Sequence, residues 1–265
     1  MSTTIRRLGS TVGHLFRGLR TSRRMPALPR QRQHDEIRDW SGDLLRRMGL
    51  TLTIHGEPPR GAGMIVANHV SWLDIATIHA SCPHARFVSK AAVGKWPLIG
   101  RLTRVVNTLF IERERKRDAM RVVREVANAL QAGDVVAVFP EGTTGPGHPV
   151  GTFHPNLLEA AIAADVHVHP VLLHYREPGM PVSVAAQYID DVTLVGSVMK
   201  IARARGVEVQ VHFLPPIHPR GMSRRELARQ TRERIAAVLA QQIGAQAAAE
   251  ERESAPSTQV PPLGA

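Results

Sequence analysis

His69 and Asp74 stand five residues apart in Asn68-His69-Val70-Ser71-Trp72-Leu73-Asp74, between the apolar run Met64-Ile65-Val66-Ala67 and an apolar segment, Ile75-Ala76-Thr77-Ile78, that reads as a helix. A histidine beside a carboxylate can act as a general base whose tautomer the carboxylate holds. Within one helix the two side chains would diverge by about 140°. His69 must therefore lie in the turn before the helix and Asp74 in its first turn, where it can reach back to a ring nitrogen. The same letters support a second reading. Ser71-x-x-Asp74 is a capping box, which would make Asp74 a helix-start residue. Ser71 is not read as a nucleophile, because it lies two residues from His69 in a turn and no G-x-S-x-G elbow is present.

Further along, Phe139-Pro140-Glu141-Gly142-Thr143-Thr144-Gly145 follows the buried-type run Val135-Val136-Ala137-Val138. Open α/β sheets place ligands at the carboxyl ends of such strands. The loop's N–H groups can form an anion nest and its threonines can add donors; an ordinary glycine turn would have the same composition. Glu141 suits an anion poorly on charge grounds. It can pair with Arg113 or another cation, or accept a hydrogen bond from a substrate hydroxyl. Arg113 ends the strand-like Thr108–Ile111 and starts a cluster, Arg113 to Arg117, whose later members read as a solvated helix entry or a membrane-facing patch. Thirteen histidines raise the question of a metal, with His167 and His169 on one strand face and His148 and His154 near the glycine-rich loop. No His-Glu-x-x-His or paired-cysteine spacing accompanies them, so no metal site is expected.

The elements that must hold these residues alternate. Leu50, Leu52 and Ile54 alternate with threonines as a strand, and strand-like runs follow at Met64–Ala67, Phe87–Ser89, Thr108–Ile111, Val135–Phe139, Val166–Leu173 and Val207–Phe213. Helix-like segments lie between them, near 72–80, 97–105, 118–131, 156–164, 194–204 and 223–243. This predicts an α/β fold: a single domain with helices layered on a mixed, partly parallel sheet. Two amphipathic helices precede it. Residues 1–30 carry seven arginines and no acidic residue, and Ile5, Leu8, Val12, Leu15, Phe16 and Leu19 share an arc of about 100° at helical period. That pattern reads either as an interfacial membrane anchor or as a helix docking its stripe on the domain. A second helix is expected from Asp35 to Met48. The division that follows is a basic membrane-surface segment over 1–49, a catalytic domain over 50–245 and a disordered, alanine-, glutamate- and proline-rich tail over 246–265.

Composition narrows the class. At 265 residues and 43% hydrophobic the chain can bury a real core, and its one cysteine, Cys82, excludes an internal disulfide. No run of eighteen apolar residues and no signal-peptide pattern occurs. A formal charge of +11 calls for an anionic partner, nucleic acid or an acidic bilayer. Aromatics make up 4% and none interleaves with the basic runs, which argues against a nucleic-acid stacking platform.

Four blocks taken together resemble the glycerolipid acyltransferase family, the lysophosphatidic acid acyltransferases in particular. They are Asn68 to Asp74; Phe110-Ile111-Glu112-Arg113, preceded by Lys90 and Pro97-Leu98-Ile99-Gly100; Phe139 to Gly145; and Val168-His169-Pro170-Val171-Leu172-Leu173. The resemblance implies acyl transfer from a thioester to a lysolipid hydroxyl, with His69 as general base and Asp74 as its orienting acid. It implies that Arg113, Glu141, Gly142, Thr143 and Thr144 hold the acceptor, and makes Asn68, Lys90 and Pro170 further candidate contacts to donor or acceptor. It calls for no cofactor and no metal, only acyl-CoA or an acyl carrier protein thioester as co-substrate. The expected partner surface is an anionic bilayer and the expected location peripheral, on the cytoplasmic face. A non-catalytic membrane-binding protein would keep the same surface, but intact His69, Asp74, Arg113 and Glu141 argue against it. One position departs from the family: its third block often reads Glu-Gly-Thr-Arg, and here residue 144 is threonine. That removes a candidate phosphate ligand, a gap that a lyso-ornithine lipid acceptor would fit.

Overall fold

The computed structural model describes residues 2–94, 99–106, 108–111 and 116–254. Seven strands, β1 (Leu50–His55), β2 (Gly63–Ala67), β3 (Ala85–Lys90), β4 (Leu109–Ile111), β5 (Val135–Val138), β6 (Val168–Arg176) and β7 (Val207–Phe213), form one sheet in the order β1-β7-β6-β2-β5-β3-β4. Every neighbouring pair is parallel except β6 and β7. The helices are α1 (Ser2–Ser22), α2 (Arg30–Met48), α3 (Leu73–Ser81), α4 (Ala91–Gly94), α5 (Ile99–Val105), α6 (Lys116–Gln131), α7 (Glu159–Ala163), α8 (Leu194–Arg203) and α9 (Arg224–Ser254).

The central strands read as continuous apolar runs because helices cover both faces. Ile65 and Ala67 of β2 turn to the side packed by α2, α3 and α8, with Leu45, Met48, Ile78 and Ile201. Met64 and Val66 turn to the other, with Val126 and Leu130 of α6 and Leu227, Ile235 and Leu239 of α9. The carboxyl ends of β2 and β5 therefore emerge side by side, and the two loops that follow them must meet.

Two differences from the expected elements have local causes. α9 runs on to Ser254, so residues 246–254 are helical where a disordered tail was expected. Alanine, glutamate and arginine there are strong helix formers, which continue the helix past residue 245. β6 also runs three residues past the expected Leu173, which carries Tyr175 into the core at 1% exposure.

α1 docks on the domain, but not by its whole apolar arc. Thr11, His14 and Ser22 are buried while Ile5, Val12 and Phe16 remain 63%, 51% and 64% exposed. The His14 ring stacks on Trp40 with centroids 5.0 Å apart, and Gly18 is what lets the indole approach, since a Cβ there would lie 2.5 Å from Trp40 Nε1. At the other end the Arg7 guanidinium donates to the carbonyls of Ala202 and Ala204. It thereby satisfies orphan carbonyls at the end of α8 with a cation, which the helix dipole favours. Among the described residues no helix is long and apolar enough to cross a membrane.

Burial also sets an acid limit. Desolvation lowers the His79 ring on α3 from 6.5 to about 4, and His169 and His212 likewise to about 4. The unfolded chain takes up these protons near pH 6.5 and the folded protein does not. Stability is thus full above that pH and drains away toward about pH 4, by on the order of 3 kcal/mol for fully buried His79 alone. The melting temperature should fall across that window, and His79→Phe, which cannot take up a proton, should flatten the fall. An unchanged slope in that variant would assign the acid loss to other groups.

Candidate active site

The site begins where β2 ends. The Asn68 side chain, wholly buried, accepts from the Leu173 N–H at 2.8 Å and donates to the Leu173 carbonyl at 2.9 Å, so the chain leaving β2 is pinned to β6. His69 follows in the turn and Asp74 enters the first turn of α3, the separation that the five-residue spacing requires. Asp74 Oδ2 lies 2.7 Å from His69 Nδ1 and also accepts from the N–H groups of Val70 at 2.7 Å and Ser71 at 3.0 Å. The capping and orienting readings are therefore one arrangement: the oxygen that closes the helix start also holds the imidazole. The serine half of the capping box is not formed. Asp74 N–H donates to the Ser71 carbonyl at 3.2 Å, and Ser71 Oγ is buried with no hydrogen bond among the described residues.

Asp74 is fully buried, yet its charge is compensated by these donors and by its place at the helix N-terminus. A carboxylate against Nδ1 holds the ring proton there, which leaves Nε2 as the acceptor. The imidazole lies flat against Phe139, with centroids 4.1 Å apart and planes 8° from parallel. It is thus fixed by a hydrogen bond in its plane and a ring across its face.

The loop after β5 braces this turn from the other side. Glu141 Oε1 accepts the His69 N–H at 3.1 Å, and Gly145 N–H donates to the His69 carbonyl at 2.7 Å. The second Glu141 oxygen lies against Gly151 and Gly145, where added Cβ atoms would approach it to 2.5 Å and 3.2 Å. Burial raises the Glu141 carboxyl, opposed by the His69 N–H. Its carboxylate is thus engaged with backbone, where the sequence reading offered it to a cation or to the acceptor. Gly142, Thr143 and Thr144 line a cavity with His69. The Thr144 hydroxyl donates to the Tyr188 carbonyl. Tyr188 N–H in turn donates to the Val70 carbonyl at 3.0 Å, so the segment after β6 is stitched to both loops of the site.

Three expected contacts fall elsewhere or outside the described residues. Pro170 is buried within β6, paired in register with Val66, and does not line the cavity. Arg113 and the Lys90 side chain lie outside the described residues. His167 packs against His169 and His218, at the opposite end of β6 from Leu173. Among the described residues no three His, Cys, Asp or Glu side chains are grouped to hold a metal ion.

The cavity encloses about 660 Å³, within the usual range for small-molecule sites. Trp72, Ile75, Ala76 and His79, spaced to share one face of α3, form a wall leading away from His69. Leu8 and Leu15 of α1 and Ile37, Trp40 and Leu44 of α2 close the other side. A histidine paired with a buried carboxylate beside an apolar cavity suits a substrate with a reacting polar group on a hydrocarbon chain. Tyr175, Tyr188 and Trp72 were not singled out from sequence. The period-two row Val171, Leu173, Tyr175 is the signal that could have placed the first of them.

A family model described as Acyltransferase matches residues 51–174. The lyso-ornithine lipid O-acyltransferase of Pseudomonas aeruginosa is 37% identical over 200 residues, 76% of this chain and 76% of that protein. A 1-acyl-sn-glycerol-3-phosphate acyltransferase of Neisseria gonorrhoeae is 33% identical over 158 residues, 60% of this chain and 61% of that one. The crystal structure of the 1-acyl-sn-glycerophosphate (LPA) acyltransferase from Thermotoga maritima shares the fold, with a TM-score of 0.69 at 21% identity over 96% of each chain. The chain belongs to the acyltransferase family, and it is an enzyme of acyl transfer.

Asp74→Asn should both lower the melting temperature and cut turnover. An amide at that position keeps an acceptor for some of the N–H groups but cannot compensate an imidazolium, and its NH2 can force the wrong ring tautomer. Turnover held at the wild-type rate, with only the melting temperature shifted, would reduce Asp74 to a helix cap.

Proposed function

We propose that the protein transfers a fatty acyl chain from a thioester to the free hydroxyl of a lysolipid, with His69 as general base. The observation that carries this reading is the 2.7 Å pairing of His69 Nδ1 with buried Asp74 on the wall of an apolar cavity. A free hydroxyl is a weak nucleophile at neutral pH, and a positioned base contributes about 10²–10⁴-fold. Nε2 takes the hydroxyl proton as the oxygen forms its bond to the thioester carbonyl carbon. The C–S bond then breaks, and the proton passes from the imidazolium to the leaving sulfur. Asp74 stabilises the imidazolium meanwhile. The transfer is direct, with no acyl-enzyme, and the donor is acyl-CoA or an acyl carrier protein. The alkyl chain lies along the α3 wall, where each buried methylene contributes about 0.8 kcal/mol.

Two acceptors share this chemistry. Lyso-ornithine lipid is supported by threonine at position 144, whose hydroxyl is engaged by the Tyr188 carbonyl, and by the Pseudomonas relative. 1-Acyl-sn-glycerol-3-phosphate is supported by the order of the four blocks and by the Neisseria relative. Purified protein given each lysolipid with an acyl thioester, and followed by thiol release, decides between them. His69→Ala should lose at least about 10²-fold while staying folded. Near-normal thiol release in that variant would sink the mechanism.

The same reading carries a proposal for access. Ile5 and Phe16 face outward on α1, half-exposed Val12 lines the cavity, exposed Arg6, Arg17 and Arg20 stand close by on the same helix, and α1 is itself a wall of the cavity. A helix with outward apolar side chains and flanking cations suits peripheral attachment to an anionic bilayer, here the cytoplasmic face. Changing Ile5, Val12 and Phe16 together to serine should abolish co-sedimentation with anionic liposomes and leave the melting temperature in place. Deleting residues 1–30 should instead destabilise the protein, because Arg7, His14 and Gly18 anchor α1 to the domain. Liposome binding that survives the triple substitution would move the attachment surface elsewhere.

A further inference from the structure

The turn that carries His69 is tied at both ends to one strand. Asn68, at its entry, is held by the backbone of Leu173; Asp74, at its exit, accepts a hydrogen bond at 2.7 Å from the hydroxyl of Tyr175, two residues further along β6. The two Asp74 oxygens are unequally served. Oδ2 has three donors, counting the imidazole, whereas Tyr175 is the one donor to Oδ1 among the described residues. Tyr175 is itself 1% exposed, and its oxygen lies 3.1 Å from Thr77 Oγ1, on α3 three residues after Asp74. A phenol has one proton, and here it goes to the carboxylate. Thr77 must then donate to the phenol oxygen, which sets a directed chain from Thr77 through Tyr175 and Asp74 to His69.

We propose that Tyr175 is a positioning residue for acyl transfer, its hydroxyl fixing the rotation and charge distribution of the Asp74 carboxylate so that Oδ2 meets His69 Nδ1. This rests on His69 and Asp74 being the catalytic pair. Rotation about the Asp74 Cβ–Cγ bond would otherwise exchange the two oxygens and swing the acceptor off the imidazole, and a hydrogen bond to each oxygen blocks that motion. The phenol also stays a donor throughout the working pH range, since burial and then the Asp74 charge push its ionisation well above the usual tyrosine value. The other titratable groups that bear on this carboxylate are His69 itself and Glu141, which reaches the turn through the His69 N–H. A tyrosine kept only for packing would need no partner at the hydroxyl, and phenylalanine would replace it without kinetic consequence.

The test compares wild type, Tyr175→Phe, Thr77→Val and His69→Ala, with thiol release followed across pH and thermal melts run in parallel. Tyr175→Phe should lower kcat about 10-fold or more with KM for either substrate little changed, the pattern of an interaction that matters in the transition state. The acid limb of its kcat/KM profile should move to higher pH, because a carboxylate short of one donor holds a proton on the neighbouring imidazole more tightly. Thr77→Val should shift both readouts in the same direction by less. A Tyr175→Phe enzyme with wild-type kcat and an unmoved acid limb, whatever its melting temperature, overturns the proposal while His69→Ala remains inactive. Full activity in His69→Ala would instead overturn the catalytic pair on which the proposal rests.

Discussion

A buried carboxylate is the constraint around which this protein is built. Asp74 has no contact with solvent, and an uncompensated charge there would cost several kcal/mol. Its oxygens must therefore collect donors, and the nearest are the N–H groups of Val70 and Ser71 at the start of its own helix. Accepting them bends residues 69–73 into a tight turn, which brings the His69 ring within 2.7 Å of the same oxygen. Helix capping, turn geometry and imidazole orientation are one interaction, so the pairing of His69 with Asp74 cannot loosen without exposing the charge that holds it.

The surrounding sheet turns that local device into a rigid one. Parallel β2 and β5 end side by side, so the loop after β5 can reach the His69 turn with both a donor and an acceptor. Glu141 takes the His69 N–H and Gly145 supplies an N–H to its carbonyl. Phe139 backs the ring, and Asn68 ties the turn to β6. A loop that looks from its composition like an anion cradle is, in this fold, largely a brace for the His69 turn. The threonine at 144 belongs to the same brace through the Tyr188 carbonyl.

α1 solves a different problem. An enzyme whose cavity is walled by an amphipathic helix must hold that helix without spending its whole apolar face. Polar and aromatic contacts do the holding here: Arg7 on the end of α8, His14 on Trp40, and Gly18 beneath the indole. Leu8, Val12 and Leu15 can then line the cavity, Val12 still half-exposed, while Ile5 and Phe16 stay outside. The glycine that weakens the isolated helix is what allows it to pack.

The letters alone determined the alternation of strands and helices, the placement of His69 before α3 and Asp74 inside it, and the family, because each depends on periodicity or spacing within a few residues. Even the competition between cap and orienting acid was legible there, and it was resolved by one oxygen serving both. Tertiary structure alone decided the rest. Tyr175 reaches Asp74 across 101 residues, and Glu141 reaches His69 across 72, contacts that no local pattern encodes. A glutamate in a glycine-rich loop has the same composition whether it faces a substrate or a backbone N–H; only the parallel pairing of β2 with β5 chooses. The arc on α1 was readable, but which of its side chains would be covered was not. That depends on where α2 and α8 put Trp40 and the carbonyls of Ala202 and Ala204, which is set by the packing of the whole sheet.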